Sequence, residues 1–234
     1  HLGQPPETLA RVQLIVNTRR MARRIRELFD QGPPCLLPRI SLLTDLGELW
    51  DLAHIPDPVP PLRRRLELVQ LITTLLDNAP DLAPRSAIYD LSNSLAGLMD
   101  EMHGEGVSPQ AIEALDISDQ SGHWARIKSF LGIVRHYFEA GGAAPDVETR
   151  QRLVIERLVS LWAQTPPTHP VILAGSTGSR GATQYLMQAV ARLPQGAVVL
   201  PGFDFDMPGA VWEALGDAML SEDHPQYRFC RVAA

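Results

Sequence analysis

The chain has 234 residues, 45% hydrophobic and 21% charged, the balance of a globular protein with one large domain or two small ones. No apolar run approaches the roughly 18 residues a transmembrane helix needs, and the Arg-rich start has too short an apolar core for a signal peptide. The two cysteines, Cys35 and Cys230, lack metal-ligand spacing, which argues against a disulfide framework or an iron–sulfur cluster here and makes the cytoplasm the expected compartment.

The first residue, His1, is not Met, so a segment of a longer chain is expected. Residues 12–16 (VQLIV) form a short β-like run. Asn17-Thr18 follows as a turn and helix N-cap. Residues 19–31 place Met21, Ala22, Ile25, Leu28 and Phe29 on one face of an amphipathic helix, which Gly32-Pro33-Pro34 stops. Residues 39–44 (RISLLT) read as a second strand, and Asp45 starts a short helix to about Leu52.

A Pro-rich linker at Pro56, Pro58, Pro60 and Pro61 opens a helical segment. Its expected helices cover 62–77, 85–104, a short one capped by Ser108 with Pro109 at its first position, 122–140, and 145–164. The pattern then returns to α/β. Residues 170–175 (PVILAG) and 197–201 (AVVLP) read as parallel strands covered on both faces, with helices over 182–193 and 206–218. The expectation is therefore an α/β parallel-sheet core in two parts, 1–55 and 169–234, with an all-helical insertion at 56–168.

The loop Gly175-Ser176-Thr177-Gly178-Ser179-Arg180-Gly181-Ala182-Thr183 follows a strand and opens a helix, where backbone N–H groups can bind an anion. A phosphate-binding loop requires G-x-x-x-x-G-K-[ST], and this segment has no lysine in either register; G-x-G-x-x-G fails as well. A tight strand-to-helix turn is the preferred reading. An active ATP and magnesium site over Gly175 to Thr183 is the alternative.

Asp204 and Asp206, after the next strand, have the spacing of a carboxylate pair, but no third ligand stands nearby, and a capping role for Asp206 is preferred. Asp100-Glu101-Met102-His103-Gly104-Glu105 is dense in potential ligands, yet it lacks H-E-x-x-H and reads as a solvated helix end stopped by Gly, with Met99 and Met102 in the core. His123 and His136 are isolated. Ser121, Ser176 and Ser179 lack the G-x-S-x-G elbow. No catalytic residue, metal site or cofactor is expected.

The net charge of −6 is not that of a free-standing DNA clamp, but the basic residues are unevenly placed. Arg11, Arg19, Arg20, Arg23, Arg24 and Arg26 crowd the first strand–helix unit. Helical spacing groups Arg19, Arg23 and Arg26 on one edge and Arg20 and Arg24 on another. Arg63, Arg64 and Arg65 cluster at a helix start, where positive charge opposes the helix dipole and suggests an external anion. Phosphate contact, docking on an acidic partner and a solvated face all remain open for these arginines.

VNTRRMARRIRELF from Val16, LLPRISLLTDL from Leu36, PPLRRRLELVQLI from Pro60, LAGLMDEMHGEGVSP from Leu95 and SGHWARIKSFL from Ser121 carry a resemblance. So do HPVILAGSTGSRGATQYLMQAVARLPQGAVVLPGFDFDMP from His169 and DHPQYRF from Asp223. Through nearly its whole length the chain resembles the N-terminal part of AddB proteins of the alphaproteobacterial type. The resemblance implies a superfamily 1 helicase-like core (domain 1A-like) with a 1B-like helical insertion, in a subunit that pairs with an AddA-type helicase–nuclease to process DNA breaks. It also implies an inactivated helicase, which fits the failed phosphate loop, and a nuclease with its cluster far downstream. On that reading this segment is a scaffold that engages DNA through Arg19, Arg20, Arg23, Arg24, Arg63, Arg64, Arg65, Ser179 and Arg180. It needs no membrane and no cofactor; the alternatives are the ATP module and a pure protein–protein docking module.

Overall fold

The computed structural model describes residues 5–49, 52, 54–108, 110–111, 114, 130, 132–133, 135, 144–216 and 224–233. In chain order the elements are α1 (Pro6–Ala10), β1 (Gln13–Val16), α2 (Arg19–Asp30), β2 (Arg39–Leu42), a 3-10 turn (Leu43–Asp45) and α3 (Leu46–Leu49). Then come α4 (Pro61–Asn78), a 3-10 turn (Arg85–Ala87), α5 (Ile88–Glu105), α6 (Val147–Gln164) and β3 (Val171–Ala174). The last are α7 (Gly181–Arg192), β4 (Gly196–Val199), α8 (Gly209–Ala214) and α9 (Tyr227–Ala233). The helix expected over 122–140 lies outside the described residues apart from 130, 132–133 and 135.

The chain divides into two compact units, 1–52 with 154–234, and 53–153. The sequence put the second boundary at the Pro166-Pro167 break; it falls instead within α6. Val154, Ile155, Leu158 and Trp162 of that helix are buried, so its apolar face belongs to the α/β unit.

In the α/β unit the sheet order is β2-β1-β3-β4 and every pairing is parallel. Gln13 pairs with Arg39 and Val171, and Val171 with Gly196, so all strands start and end level. β1 and β3 are central and buried at three of four positions, as continuous Val/Ile/Leu runs demand when both faces are covered. β4 differs from the expectation. It is an edge strand with alternating burial, and Ala197 and Val199 are exposed, so one of its faces is not covered among the described residues. The residue types suit either environment, so the apolar run did not distinguish them.

α2 begins where expected: Thr18 is extended and its hydroxyl accepts the Met21 N–H at 3.2 Å. α7 lays Ala182, Leu186, Met187 and Val190 against the core at helical spacing. α8 starts at Gly209 with Pro208 before it, so Asp206 is not its cap. Asp204 instead accepts the Asp206 N–H at 3.0 Å in an Asx turn.

The helical unit is built on the α4–α5 pair. Leu68, Ile72 and Leu76 of α4 pack with Leu95, Met99 and Met102 of α5 in one buried cluster. The stop of α5 is Gly106, left-handed at φ +70°, two residues after Gly104, which stays inside the helix.

Candidate nucleic-acid interface

In the order β2-β1-β3-β4, α2 leads from β1 to β2 and α7 leads from β3 to β4. The connections diverge between β1 and β3, and ligands of open parallel sheets bind at the carboxyl edge of that switch point. Here the loops after β1 and β3 meet. Asn17 Nδ2 donates to the Gly175 carbonyl at 3.3 Å. Met21 lies against Gly175, which is left-handed at φ +79°, and a Cβ there would meet Met21 Sδ.

The glycine loop is engaged internally. The Gly178 N–H donates to Ser176 Oγ at 3.3 Å, and Ser176 is buried. Arg228 on α9 donates from Nη1 to the Ser179 carbonyl at 2.9 Å. Gly178 packs beside Met187 and Val232. Thr177, Ser179 and Arg180 remain on the surface. A triphosphate cradle needs convergent free N–H groups and a lysine; this loop spends one N–H on its own serine and carries no lysine.

The structure therefore brings Arg19 and Arg20, at the start of α2, to the same sheet edge as Ser179 and Arg180. Arg23, Arg24 and Arg26 continue along α2, and all five α2 arginines are exposed. Arg24 pairs with Glu27 at 3.3 Å. Arg19, Arg20, Arg23 and Arg26 have no ion-pair partner among the described residues. Arg19 and Arg20 also stand in the first turn, which holds no acidic residue to balance the dipole.

The second arginine cluster belongs to the helical unit and is not one surface. Arg63 is exposed and pairs with Glu67 at 2.9 Å, and Arg65 is exposed. Arg64 turns inward and is only 8% exposed, so it does not share the surface its neighbours present. Its Nη1 donates to Asp100 Oδ1 at 2.6 Å, and its Nη2 lies 3.7 Å from Asp146 Oδ2.

Asp146 also contacts His103 and caps α6 by accepting the Thr149 N–H at 2.8 Å. Burial alone would raise its carboxyl pKa. The His103 hydrogen bond, the Thr149 N–H and the charges of His103 and Arg64 outweigh that and hold it below the usual carboxylate value. At the acidic end of α5, Asp100 and His103 thus join an organised charge cluster, while Glu101 and Glu105 remain on the surface. The sequence carries no signal for it, because Arg64 lies on α4, Asp100 and His103 on α5, and Asp146 just before α6, far apart along the chain.

Among the described residues no group of three or more His, Cys, Asp or Glu side chains is arranged to hold a metal ion, and no helix is long and apolar enough to cross a membrane. No protein-family model matches the chain, and no curated protein matches it.

Proposed function

We propose that this chain is a non-catalytic, helicase-like portion of a DNA-break repair helicase–nuclease subunit of the AddB type. It engages DNA through the carboxyl edge of its parallel sheet and acts as a scaffold for an AddA-type partner. The observation that carries this reading is the α2 surface. Four exposed arginines there lack an intramolecular counter-charge among the described residues, in a chain whose net charge is −6. Two of them oppose the helix dipole at a switch-point edge. Such placement costs stability and is offset when phosphates supply the missing charge.

The Gly178 N–H held by Ser176, the missing lysine and the Met21 contact at Gly175 support a scaffold over an ATP-driven module. The strand–helix–strand core interrupted by helices agrees with the helicase-like resemblance of the sequence.

The test is fluorescence anisotropy with a labelled single-stranded oligonucleotide across a salt series. Four phosphate contacts give a log–log slope of roughly −3, from about −0.7 per contact on single strands. Replacing Arg19, Arg20, Arg23 and Arg26 together with Ala flattens that slope. A slope unchanged by the quadruple replacement sinks the DNA role of α2. A calorimetric titration with ATP and magnesium runs beside it; saturable binding would overturn the non-catalytic reading.

A further inference from the structure

Phe205 is 88% exposed, the highest value of any large apolar side chain among the described residues. It does not sit on a frayed loop. Buried Gln226 donates from Nε2 to the Gly202 carbonyl at 2.8 Å and accepts the Asp204 N–H on Oε1 at 3.1 Å. Gly202 is left-handed at φ +67°, and the Asp204 side chain closes the next turn on the Asp206 N–H. Phe203 supports the ring edge-on, with centroids 4.9 Å apart, and itself packs edge-on against Trp212 at 5.4 Å and tilted against Phe229 at 6.2 Å. A water-exposed aromatic on a pre-formed mount is a contact surface for something outside the chain.

Its place in the fold says what. Val16, Ala174 and Val199 are in register, so the chain leaves β1, β3 and β4 on one edge of the sheet. With strands roughly 4.8 Å apart, the β4 loop emerges about 10 Å from the start of α2. The edge is therefore graded: free arginines at the β1 end, and an aromatic ring flanked by exposed Asp204 and Asp206 at the β4 end. A nucleotide is graded in the same way, with phosphate at one end and at the other a π face carrying amino donors. The two carboxylates repel phosphate from the ring and can accept hydrogen bonds from exocyclic amino groups of a base. In a duplex the base faces are occupied by stacking, so the matching ligand is a single strand.

We infer that Phe205 is a base-stacking platform for single-stranded DNA whose phosphates run over the α2 arginines. The inference rests on the DNA reading above. Stacking releases no counterions, so it is separable from the phosphate contacts by its salt behaviour.

The test uses the full chain and a single strand carrying 2-aminopurine, whose fluorescence falls on stacking. Wild type quenches the probe. Phe205→Ala removes the quench and weakens binding about tenfold, within the span reported for single base–aromatic stacks, while the salt slope stays that of wild type. Phe205→Trp keeps both quench and affinity. The ring is nearly free of contacts except Phe203, and circular dichroism of Phe205→Ala checks that the fold is kept. If Phe205→Ala binds and quenches like wild type while the steep slope persists, the platform is overturned and the DNA reading stands. If wild type shows no salt-dependent binding, both fall.

Discussion

Arg64 Nη2 lies 3.7 Å from Asp146 Oδ2, both side chains being more than nine-tenths buried. Around that pair Asp100 takes the other Arg64 nitrogen, His103 contacts the same Asp146 oxygen, and the Thr149 N–H occupies Oδ1. One carboxylate thereby joins α4, α5 and the first turn of α6. Its neighbours in sequence reveal little of this, since Arg64, Asp100 and His103 lie on helices whose own patterns look amphipathic, and Asp146 lies just before another.

Removing one member of a buried pair leaves the other charge without compensation, which typically costs about 3 kcal/mol or more. Arg64→Ala is therefore expected to lower the urea unfolding midpoint of the helical unit strongly. Arg63→Ala, whose pair with Glu67 is exposed, is expected to change stability by about 0.5 kcal/mol or less. Equal midpoints for the two variants would refute the distinction. DNA affinity measured on the folded Arg64→Ala protein stays that of wild type, because the side chain is not on the surface.

The depressed Asp146 pKa fixes the sign of a pH effect. Its folded value lies below the unfolded value of 3.8, so the unfolded state binds the proton more tightly. The stabilisation is present above pH 3.8 and is lost as pH falls through the lower folded value. Asp146→Asn keeps a good helix cap but loses the charge. It should be about 2 kcal/mol less stable than wild type at neutral pH, given the buried Arg64 it leaves half-compensated. The gap should close as the pH drops below the unfolded value. A gap constant from pH 7 to pH 2 in denaturant titrations would show that Asp146 ionisation does not contribute.

Much of the α/β unit was legible because its signals are local. Asn17-Thr18 before Arg19 marks a cap and delivers one. The run VILA marks a covered strand and lies in the sheet centre. β4 departs from its covered-strand pattern because AVV fits a central and an edge strand equally, and only pairing decides. The arginines of α2 could be named from sequence; the first turn offers Arg19 and Arg20 no acid, but only the structure shows that Glu27 pairs with Arg24 rather than Arg23. Phe205 has no sequence signal of its own between Asp204 and Asp206. Its exposure depends on Gln226, 21 positions downstream, holding the loop by two hydrogen bonds. Long-range contacts of that kind leave no periodic trace.

The α2 arginines are expected to trade stability for binding. Arg19 and Arg20 place positive charge at the positive end of a helix dipole, which costs roughly 0.3–1 kcal/mol per charge at low salt. Arg19→Glu should raise the thermal midpoint slightly in low salt and weaken single-strand affinity severalfold, with the salt slope reduced by more than one contact. The midpoint is read by circular dichroism and the slope by anisotropy. A variant that loses stability and keeps the slope would mean that Arg19 packs rather than binds.

Gly175 gives the sharpest test of the switch-point geometry. Its φ of +79° is strained for any side chain, and a Cβ there would run into Met21 Sδ. Gly175→Ala should cost about 2 kcal/mol, combining backbone strain and the clash. Met21→Ala relieves only the clash. In that background the glycine replacement should still cost about 1 kcal/mol, the share owed to positive φ. The double-mutant cycle therefore yields a favourable coupling between the two replacements. Strict additivity would mean that Met21 does not press on Gly175 in solution.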